Sequence, residues 1–311
     1  MGIMKPWKIL AAALFLALIA APAGAEVSVS YLYKLSNFDG PVPYDSPRIF
    51  ADNSQGEVFV ISEIGVGIFN SRGMETFQIE NDPAVGLPID AVVVREGDII
   101  MLSLLANGYQ LVRCNYRGEL LARIELKNVP AAFNAGSFGR IAHYKDQLYL
   151  LDNLGMRVVV VDLNGVFIKG YDIFSKLGLP DEERENQGIG GFNLDREGNI
   201  LFTLPVVALA YLMTPDGKVR EFGRRGSAPG KFGVPSGIAG DARGNLLVTD
   251  KLRCMVLVFD KNFRFVKEFG YRGFRPHNLI VPGEIAVDSL DRVYVGQLRR
   301  RGVNVYQLEY N

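Results

Sequence analysis

The sequence predicts an all-β fold, a six-bladed β-propeller, from three observations. Short runs of β-branched and aromatic residues alternate with turn residues after residue 25, and long helical periodicity is scarce. Four such runs form a unit that recurs six times. The second strands of the copies end 41 to 52 residues apart, at Ser62, Ser103, Asp152, Leu204, Asp250 and Gln297. Four strands repeated at this period are typical of propeller blades.

Composition excludes several classes of protein. Hydrophobic residues make up 48% of the 311 positions, which excludes a disordered chain. There are two cysteines and no Cys-x-x-Cys, which excludes disulfide-stapled miniproteins, zinc ribbons, thioredoxin-type sites and covalent c-type haem. Cys114 and Cys254 fall in the third strands of blades 2 and 5, which lie opposite each other in a ring of six. Since a disulfide spans at most about 7 Å between Cα atoms, both are predicted to be free, packed thiols.

The first residues have the pattern of a secretory signal. Lys5 and Lys8 precede an apolar run over Ile9–Ala21, and the small residues Ala23–Ala25 follow it. The run is short for a bilayer span, and a retained membrane anchor is the alternative. We expect cleavage after Ala25, a single domain over residues 26–311, no transmembrane anchor after cleavage, and a periplasmic or secreted protein.

Blade 5 shows the repeating unit most clearly. Residues 237–250 predict two strands around the turn Asp241–Asn245, Met255–Phe259 predicts the third, and Arg264–Phe269 the fourth. Glycine and Asn/Asp stand where a hairpin needs positive φ. The other copies begin at Pro47, Ala91, Ile141, Asp195 and Glu284. The longest irregular connection, Ser175–Gly190, is expected to be a charged surface loop that could hold a short helix.

The sixth copy has three strands before the chain ends, whereas an unassigned strand, Val27–Leu35, precedes the first copy. We predict that Val27–Leu35 supplies the missing fourth strand of blade 6. Pairing the first and last segments covers two strand edges that would otherwise be open to aggregation.

Residues 235–250, Pro-Ser-Gly-Ile-Ala-Gly-Asp-Ala-Arg-Gly-Asn-Leu-Leu-Val-Thr-Asp, resemble the NHL repeat, and so does their lead-in, Phe222–Phe232. The resemblance is sharp over residues 222–270 and weaker over 282–288 and 152–162. It implies a six-bladed propeller.

Charge is unevenly distributed along the chain. Residues 26–217 hold 15 basic and 25 acidic groups, and residues 218–301 hold 17 basic and 8 acidic groups. In a propeller, the linkers between blades and the turns between second and third strands share one face, which usually holds the ligand; we call it the linker face. The basic residues expected there are Arg224, Arg225, Lys231, Arg253, Arg272, Arg275, His277, Arg299, Arg300 and Arg301. The forked guanidinium groups of arginine suit carboxylate or phosphate partners, which favours a binding surface. The alternative is a solvated face on which these residues form local ion pairs.

Blade 4 adds an apolar element to this face. Its second turn reads Leu204–Ala208, including Val206 and Val207, where blade 5 has Asp-Lys-Leu-Arg. If this turn is exposed, it is an apolar tip that needs a partner. If a neighbouring linker covers it, it is part of the core.

A third candidate site lies at the mouth of the central channel. Alignment of the six copies puts Arg48, Asp90, Arg140, Gly191, Gly237 and Glu284 at one level. Mutually satisfied ion pairs are the favoured interpretation, because unpaired charge in a narrow channel is costly. The alternative is a calcium or polar-ligand site made by Glu284, Asp90, Asn134 and Asn193, since calcium prefers oxygen ligands.

Catalytic motifs are scarce. Similar propellers include lyases whose zinc is held by several histidines, but this chain has only His143 and His277, and Gly-x-Ser-x-Gly and Walker motifs are absent. The favoured hypothesis is an exported, non-catalytic binding or scaffold protein without a cofactor, either a monomer or part of a larger assembly. It would present a basic and apolar face to a protein or anionic envelope partner; export disfavours nucleic acid. The alternatives are a calcium-dependent lactonase or esterase-like hydrolase and a rigid spacer.

Overall fold

The computed structural model describes residues 27–310 apart from positions 53, 95–96, 135–136 and 181–185. The predicted signal sequence therefore lies outside the described residues. Within them, the helices are the single turn Ile173–Lys176 and the 3-10 turn Ala131–Phe133, and none is long or apolar enough to cross a membrane. The prediction of an all-β fold is confirmed.

Six four-stranded antiparallel sheets follow one another along the chain. Blade 1 consists of Arg48–Asp52, Glu57–Ser62, Gly65–Phe69 and Glu75–Ile79. Blade 2 consists of Leu87–Val93, Ile99–Leu105, Gly108–Cys114 and Leu120–Ile124. Blade 3 consists of Arg140–Tyr144, Gln147–Asp152, Arg157–Asp162 and Phe167–Asp172. Blade 4 consists of Phe192–Leu194, Ile200–Leu204, Leu209–Met213 and Val219–Phe222. Blade 5 consists of Pro235–Gly240, Leu246–Asp250, Met255–Phe259 and Phe265–Phe269. Blade 6 consists of Pro282–Val287, Arg292–Gln297, Val303–Tyr310 and Val27–Lys34. A small hairpin, Ser36–Asn37 with Gly40–Pro41, follows the first strand.

The predicted turn chemistry is visible in the hydrogen bonds. In blade 5, the Asp241 Oδ1 atom accepts bonds from the backbone N–H groups of Arg243 and Asn245, at 2.8 Å each. Gly244 between them has a φ of +84°. Asp195 and Asp288 cap the corresponding turns of blades 4 and 6 in the same way. The short Asp side chain therefore fixes where the first strand ends and the second begins.

The opening strand closes the ring, as predicted. Val27–Lys34 pairs antiparallel with Val303–Tyr310, with Val27 opposite Tyr310 and Lys34 opposite Asn304. The ring of Tyr31 packs edge-on against that of Tyr306, with centroids 5.7 Å apart. The last blade therefore combines the two ends of the described chain.

The hydrophobic core is divided among the gaps between blades. Within the described residues, six buried clusters each join two adjacent blades, including one between blades 6 and 1. The first strand of every blade contacts the first strands of both neighbouring blades, so these six strands surround a channel. Strands two and three are nearly continuous apolar runs because both of their faces are covered. These contacts confirm the number of blades.

Cys114 and Cys254 are both free and buried, as predicted. Cys114 ends the third strand of blade 2, and Cys254 lies one residue before the third strand of blade 5.

The closing register can be tested with a disulfide. Ser28 lies opposite Glu309, and the Ser28 hydroxyl donates to the Glu309 carboxylate at 3.2 Å. Ser28→Cys combined with Glu309→Cys should oxidise readily and raise the free energy of unfolding by about 2–4 kcal/mol, because the bond closes a long loop. Denaturant unfolding with and without reductant measures the gain. Ser28→Cys with Gln307→Cys, two residues out of register, is the control; equal cross-linking of both pairs would contradict the register.

Candidate functional site

A buried ion-pair cluster occupies the channel where the first strands begin. The Arg140 guanidinium lies 2.5 Å from Glu284 through Nη1 and 3.2 Å from Asp90 through Nε, and Arg48 Nη1 lies 3.1 Å from Glu284. The side chains of Asp90, Arg140 and Glu284 are less than a tenth exposed, whereas that of Arg48 is 37% exposed. The four aligned charges therefore meet as one network, with Arg48 on its solvent side.

The ion-pair network shifts the pKa values of its members in different directions. Burial opposes ionisation of Glu284, but Arg140 and Arg48 together outweigh it and lower the pKa of Glu284. Burial raises the pKa of Asp90, and Arg140 offsets this only in part. Burial also opposes the charge of Arg140, yet Glu284 and Asp90 raise its pKa. Glu284 and Arg140 thus form the stable ionic pair, and Asp90 is the member that protonates most easily.

At Gly191 and Gly237, the two aligned positions that lack a charge, the first strands of neighbouring blades pack closely. A Cβ atom on Gly191 would lie 2.1 Å from the carbonyl oxygen of Ser236, and one on Gly237 would lie 2.5 Å from that of Gly283. Thr203 Oγ1 donates to the Ser236 carbonyl at 2.5 Å. Blades 4, 5 and 6 therefore approach one another too closely here for any larger side chain, and the cluster fills the remaining space.

Beyond the cluster the channel widens into a cavity of about 380 Å³. Its walls are the first strands of all six blades, from the level of Asp90, Arg140 and Glu284 to the ends near Asp52 and Asp195. These ends lead into the turns between first and second strands, so the cavity faces away from the linker face. We call this opposite side the turn face.

The structure does not bring the alternative calcium set together. Asn193 lines the cavity with Asp90 and Glu284, but Asn134 is exposed and does not line it. The preceding Phe133 packs against Gly170 on the outer strand of blade 3, which holds this segment away from the channel. Both carboxylates are already paired with Arg140, and within the described residues no three His, Cys, Asp or Glu side chains are grouped to hold a metal ion.

The predicted basic residues lie on a continuous surface of blades 4 to 6. Contacts between linkers and turns join them: Arg225 to the carbonyl of Val206, Arg253 to that of Lys231, Arg272 to that of Leu252, and the Arg301 guanidinium over the ring of Phe274. The His277 carbonyl accepts from the Tyr306 hydroxyl at 2.9 Å. We call this region the docking surface: Arg224, Arg225, Lys231, Arg272, Arg275, His277, Arg299, Arg300 and Arg301, with the apolar Val206, Leu252, Tyr271 and Phe274.

Most of these cations lack an acidic partner. Within the described residues, only Arg253 of the predicted basic group forms an ion pair, with both Glu268 oxygens at 3.0 Å. Arg253 therefore ties its turn to the outer strand of blade 5. Among the others, Arg224, Arg225, Arg272, Arg275, His277, Arg299 and Arg300 are exposed, and Lys231 and Arg301 are half-buried.

Asp250 positions the blade 5 part of the surface. Its fully buried carboxylate accepts backbone N–H bonds from Gly233 and Val234 in the linker and from Leu252 and Arg253 in the turn, at 2.6 to 3.1 Å. Four bonds to one carboxylate lock the linker against the turn. The side chain of Leu252 is left 61% exposed.

The apolar turn of blade 4 combines the two possibilities that the sequence left open. Leu204 and Ala208 are fully buried, whereas Val206 is 50% exposed and Val207 is half-buried. The sequence also gave no signal for the exposed Phe274 and Tyr271, which lie between the arginines of the following linker.

Blade 6 presents its arginines on a strained turn. Arg299 and Arg300 have φ values of +60° and +56°, and the N–H of Arg299 donates to Asp45 Oδ1 at 2.8 Å. Consecutive left-handed residues in a turn normally favour Asn and Gly. The turn has five residues, 298–302, against four, 251–254, in blade 5. The longer turn of blade 6 carries two exposed arginines, Arg299 and Arg300, on the linker face.

No protein-family model and no curated protein matches the amino-acid sequence. Solved structures do match the fold. A structural genomics protein of unknown function from Bacteroides thetaiotaomicron shares 13% identity at a TM-score of 0.64, covering 91% of this chain and 76% of its own. An auxiliary nutrient binding protein from Bacteroides ovatus shares 12% identity at a TM-score of 0.61, covering 92% and 77%.

A streptogramin B lyase matches with 14% identity and a TM-score of 0.54, covering 92% of this chain and 98% of its own. Identities this low show a common six-bladed propeller fold and nothing about activity.

The ion-pair cluster can be tested by removing its central cation. Arg140→Met should lower the free energy of unfolding by about 3–5 kcal/mol at neutral pH, because the buried Asp90 loses its paired cation and the buried Glu284 keeps only the partly exposed Arg48. Their pKa values in the folded variant would rise above the unfolded values, so the loss should shrink as the pH falls and both take up protons. Denaturant unfolding between pH 4 and about pH 8 measures it.

Arg113→Met is the matched control, since it removes a partly exposed ion pair with Asp98. It should cost less than about 1 kcal/mol. A loss at Arg140 that is equally small, or that does not depend on pH, would contradict the network.

Proposed function

We propose that this protein is an exported, non-catalytic binding protein whose docking surface holds an acidic segment of another protein. The observation that carries the proposal is the pairing of two features on one surface. Its basic side chains lack carboxylate partners within the described residues, and exposed apolar side chains stand between them. A partner that alternates acidic and apolar side chains would satisfy both.

The strained turn supports the same conclusion. A left-handed conformation costs roughly 1–2 kcal/mol for a residue with a Cβ atom. Arg299 and Arg300 both carry this cost, although Asn and Gly would relieve it. Arg299 and Arg300 are the one consecutive pair of non-glycine residues with left-handed φ among the described residues, and backbone strain clusters at functional sites. The proposal therefore assigns these arginines the main contact with the partner.

Three further points belong to the proposal. Membership of the NHL-repeat proteins is favoured by residues 222–270, where the Asp250 carboxylate makes its four backbone bonds. Export is favoured by the predicted signal sequence. A binding role without chemistry agrees with the auxiliary nutrient binding protein among the similar structures, although the likeness extends only to fold.

Replacing the strained arginines should separate binding from stability. Arg299→Asn with Arg300→Gly should raise the free energy of unfolding by about 1–2 kcal/mol, because it relieves the backbone. The same variant should bind a fluorescent peptide of alternating Glu and Leu about tenfold or more weakly, because two cations are lost. Anisotropy titration and denaturant unfolding give the two values, and binding should weaken with added salt.

Arg117→Ser with Arg123→Ser is the matched control, since it removes two exposed arginines from blade 2. It should leave peptide binding unchanged. If both variants weaken binding equally, the peptide responds to overall charge and the docking surface has no special role.

Export makes a separate prediction. Protein recovered from the periplasm or medium of the native host should begin at Glu26, as measured by intact mass. A recovered chain that retains residues 1–25 would contradict cleavage without affecting the docking surface.

A further inference from the structure

The cavity on the turn face borders a polar atom that the fold does not satisfy. Among the described side chains that line the cavity, His143 Nε2 is buried without a hydrogen-bond partner, whereas Arg140 Nε is paired with Asp90 at 3.2 Å. The cavity volume, about 380 Å³, lies in the range of small-molecule sites. Buried polar groups are normally paired, so the unpaired His143 Nε2 beside this cavity indicates a missing partner.

The fold leaves the Nε2 atom of His143 without a hydrogen-bond donor. The backbone of Lys145 stabilises the imidazole proton, and since Nε2 has no partner, we assign that proton to Nδ1. Burial lowers the pKa of His143, which favours the neutral ring. In that tautomer Nε2 presents a lone pair. A ligand that completes this site must therefore bring a hydrogen-bond donor.

The edge of the same strand adds further acceptors. The N–H of Ile141 donates across the channel to Asp90 Oδ2 at 3.1 Å. Alternate residues of an edge strand direct their backbone groups to the same side, so the carbonyls of Ile141 and His143 face the channel.

Charge at the open end is acidic. Asp52 and Asp195 line the cavity there, and Arg196 is the single cation beside them in the lining. Deeper in the cavity, Asp90 and Glu284 are neutralised by Arg140 and Arg48. Phe50 and Tyr144 also line the cavity, and the Tyr144 ring already attracts one cation, the Lys145 ammonium 5.1 Å from its centroid. Donor-rich, positively charged ligands are therefore favoured over anions.

We propose that this cavity is a second binding site, independent of the docking surface, for a small organic ammonium ion. The ammonium group donates to His143 Nε2 and lies in the field of Asp52 and Asp195, and its apolar body packs against Phe50 and Tyr144. The site is reached from the turn face, so ligand and docked partner do not compete.

Calorimetry with three probes of one size tests the charge preference. Benzylammonium should bind the purified protein at least about tenfold more tightly than benzyl alcohol or benzoate, a difference of about 1.4 kcal/mol. No detectable binding of benzylammonium at millimolar concentration overturns the proposal. So does equal binding of the three probes.

Variants and spectra locate the site. Asp52→Asn with Asp195→Asn removes both rim charges but keeps the Oδ1 acceptors of their turns, and it should weaken benzylammonium binding about tenfold. Asp162→Asn with Asp260→Asn is the matched control, because these residues cap similar turns outside the cavity. An equal loss in both variants would overturn the proposal.

His143 can be observed directly. The chain has two histidines, and His277→Gln identifies the remaining imidazole signal as His143. Benzylammonium should shift its Nε2 resonance in long-range ¹H–¹⁵N spectra, whereas a signal that does not move places the ligand elsewhere and rejects the site.

Discussion

Closure of the ring is the constraint on which the rest of the structure depends. Each blade is a wedge whose apolar faces are covered mainly by its two neighbours, because the buried clusters lie between blades. A ring of six therefore needs its last interface as much as any other. The antiparallel pairing of Val27–Lys34 with Val303–Tyr310 completes the sheet that makes this interface. The linker face, the channel and the turn face all follow from it.

Closure also gives the two ends of the channel different chemistry. At the linker end, tight packing at Gly191 and Gly237 narrows the passage until paired charges fill it. At the turn end, the same strands leave a cavity with an acidic rim. The charged residues of the linker face are thereby separated from the cavity by a buried salt-bridge network. The two ligands that we propose, which carry opposite charges, would therefore not compete.

The repeat period and turn residues were sufficient to predict the blades, because each Asp or Gly acts on its own hairpin. The aligned charges were also found from sequence, since one register governs all six first strands. Asn134 was misplaced because spacing cannot show which part of a long linker reaches the channel; Phe133 holds it on the outside of blade 3. Nothing local predicts two arginines in left-handed turns, because a tertiary bond from Arg299 to Asp45 helps to set that backbone.

The arrangement of the closing strands has a mechanical consequence. Val27 and Tyr310 lie directly opposite each other at one end of an antiparallel pair. A force that pulls the two ends of the chain apart would act across the strands and break their hydrogen bonds one after another, as in a zipper, instead of shearing them all together. The ring would therefore open under tension at blade 6 first.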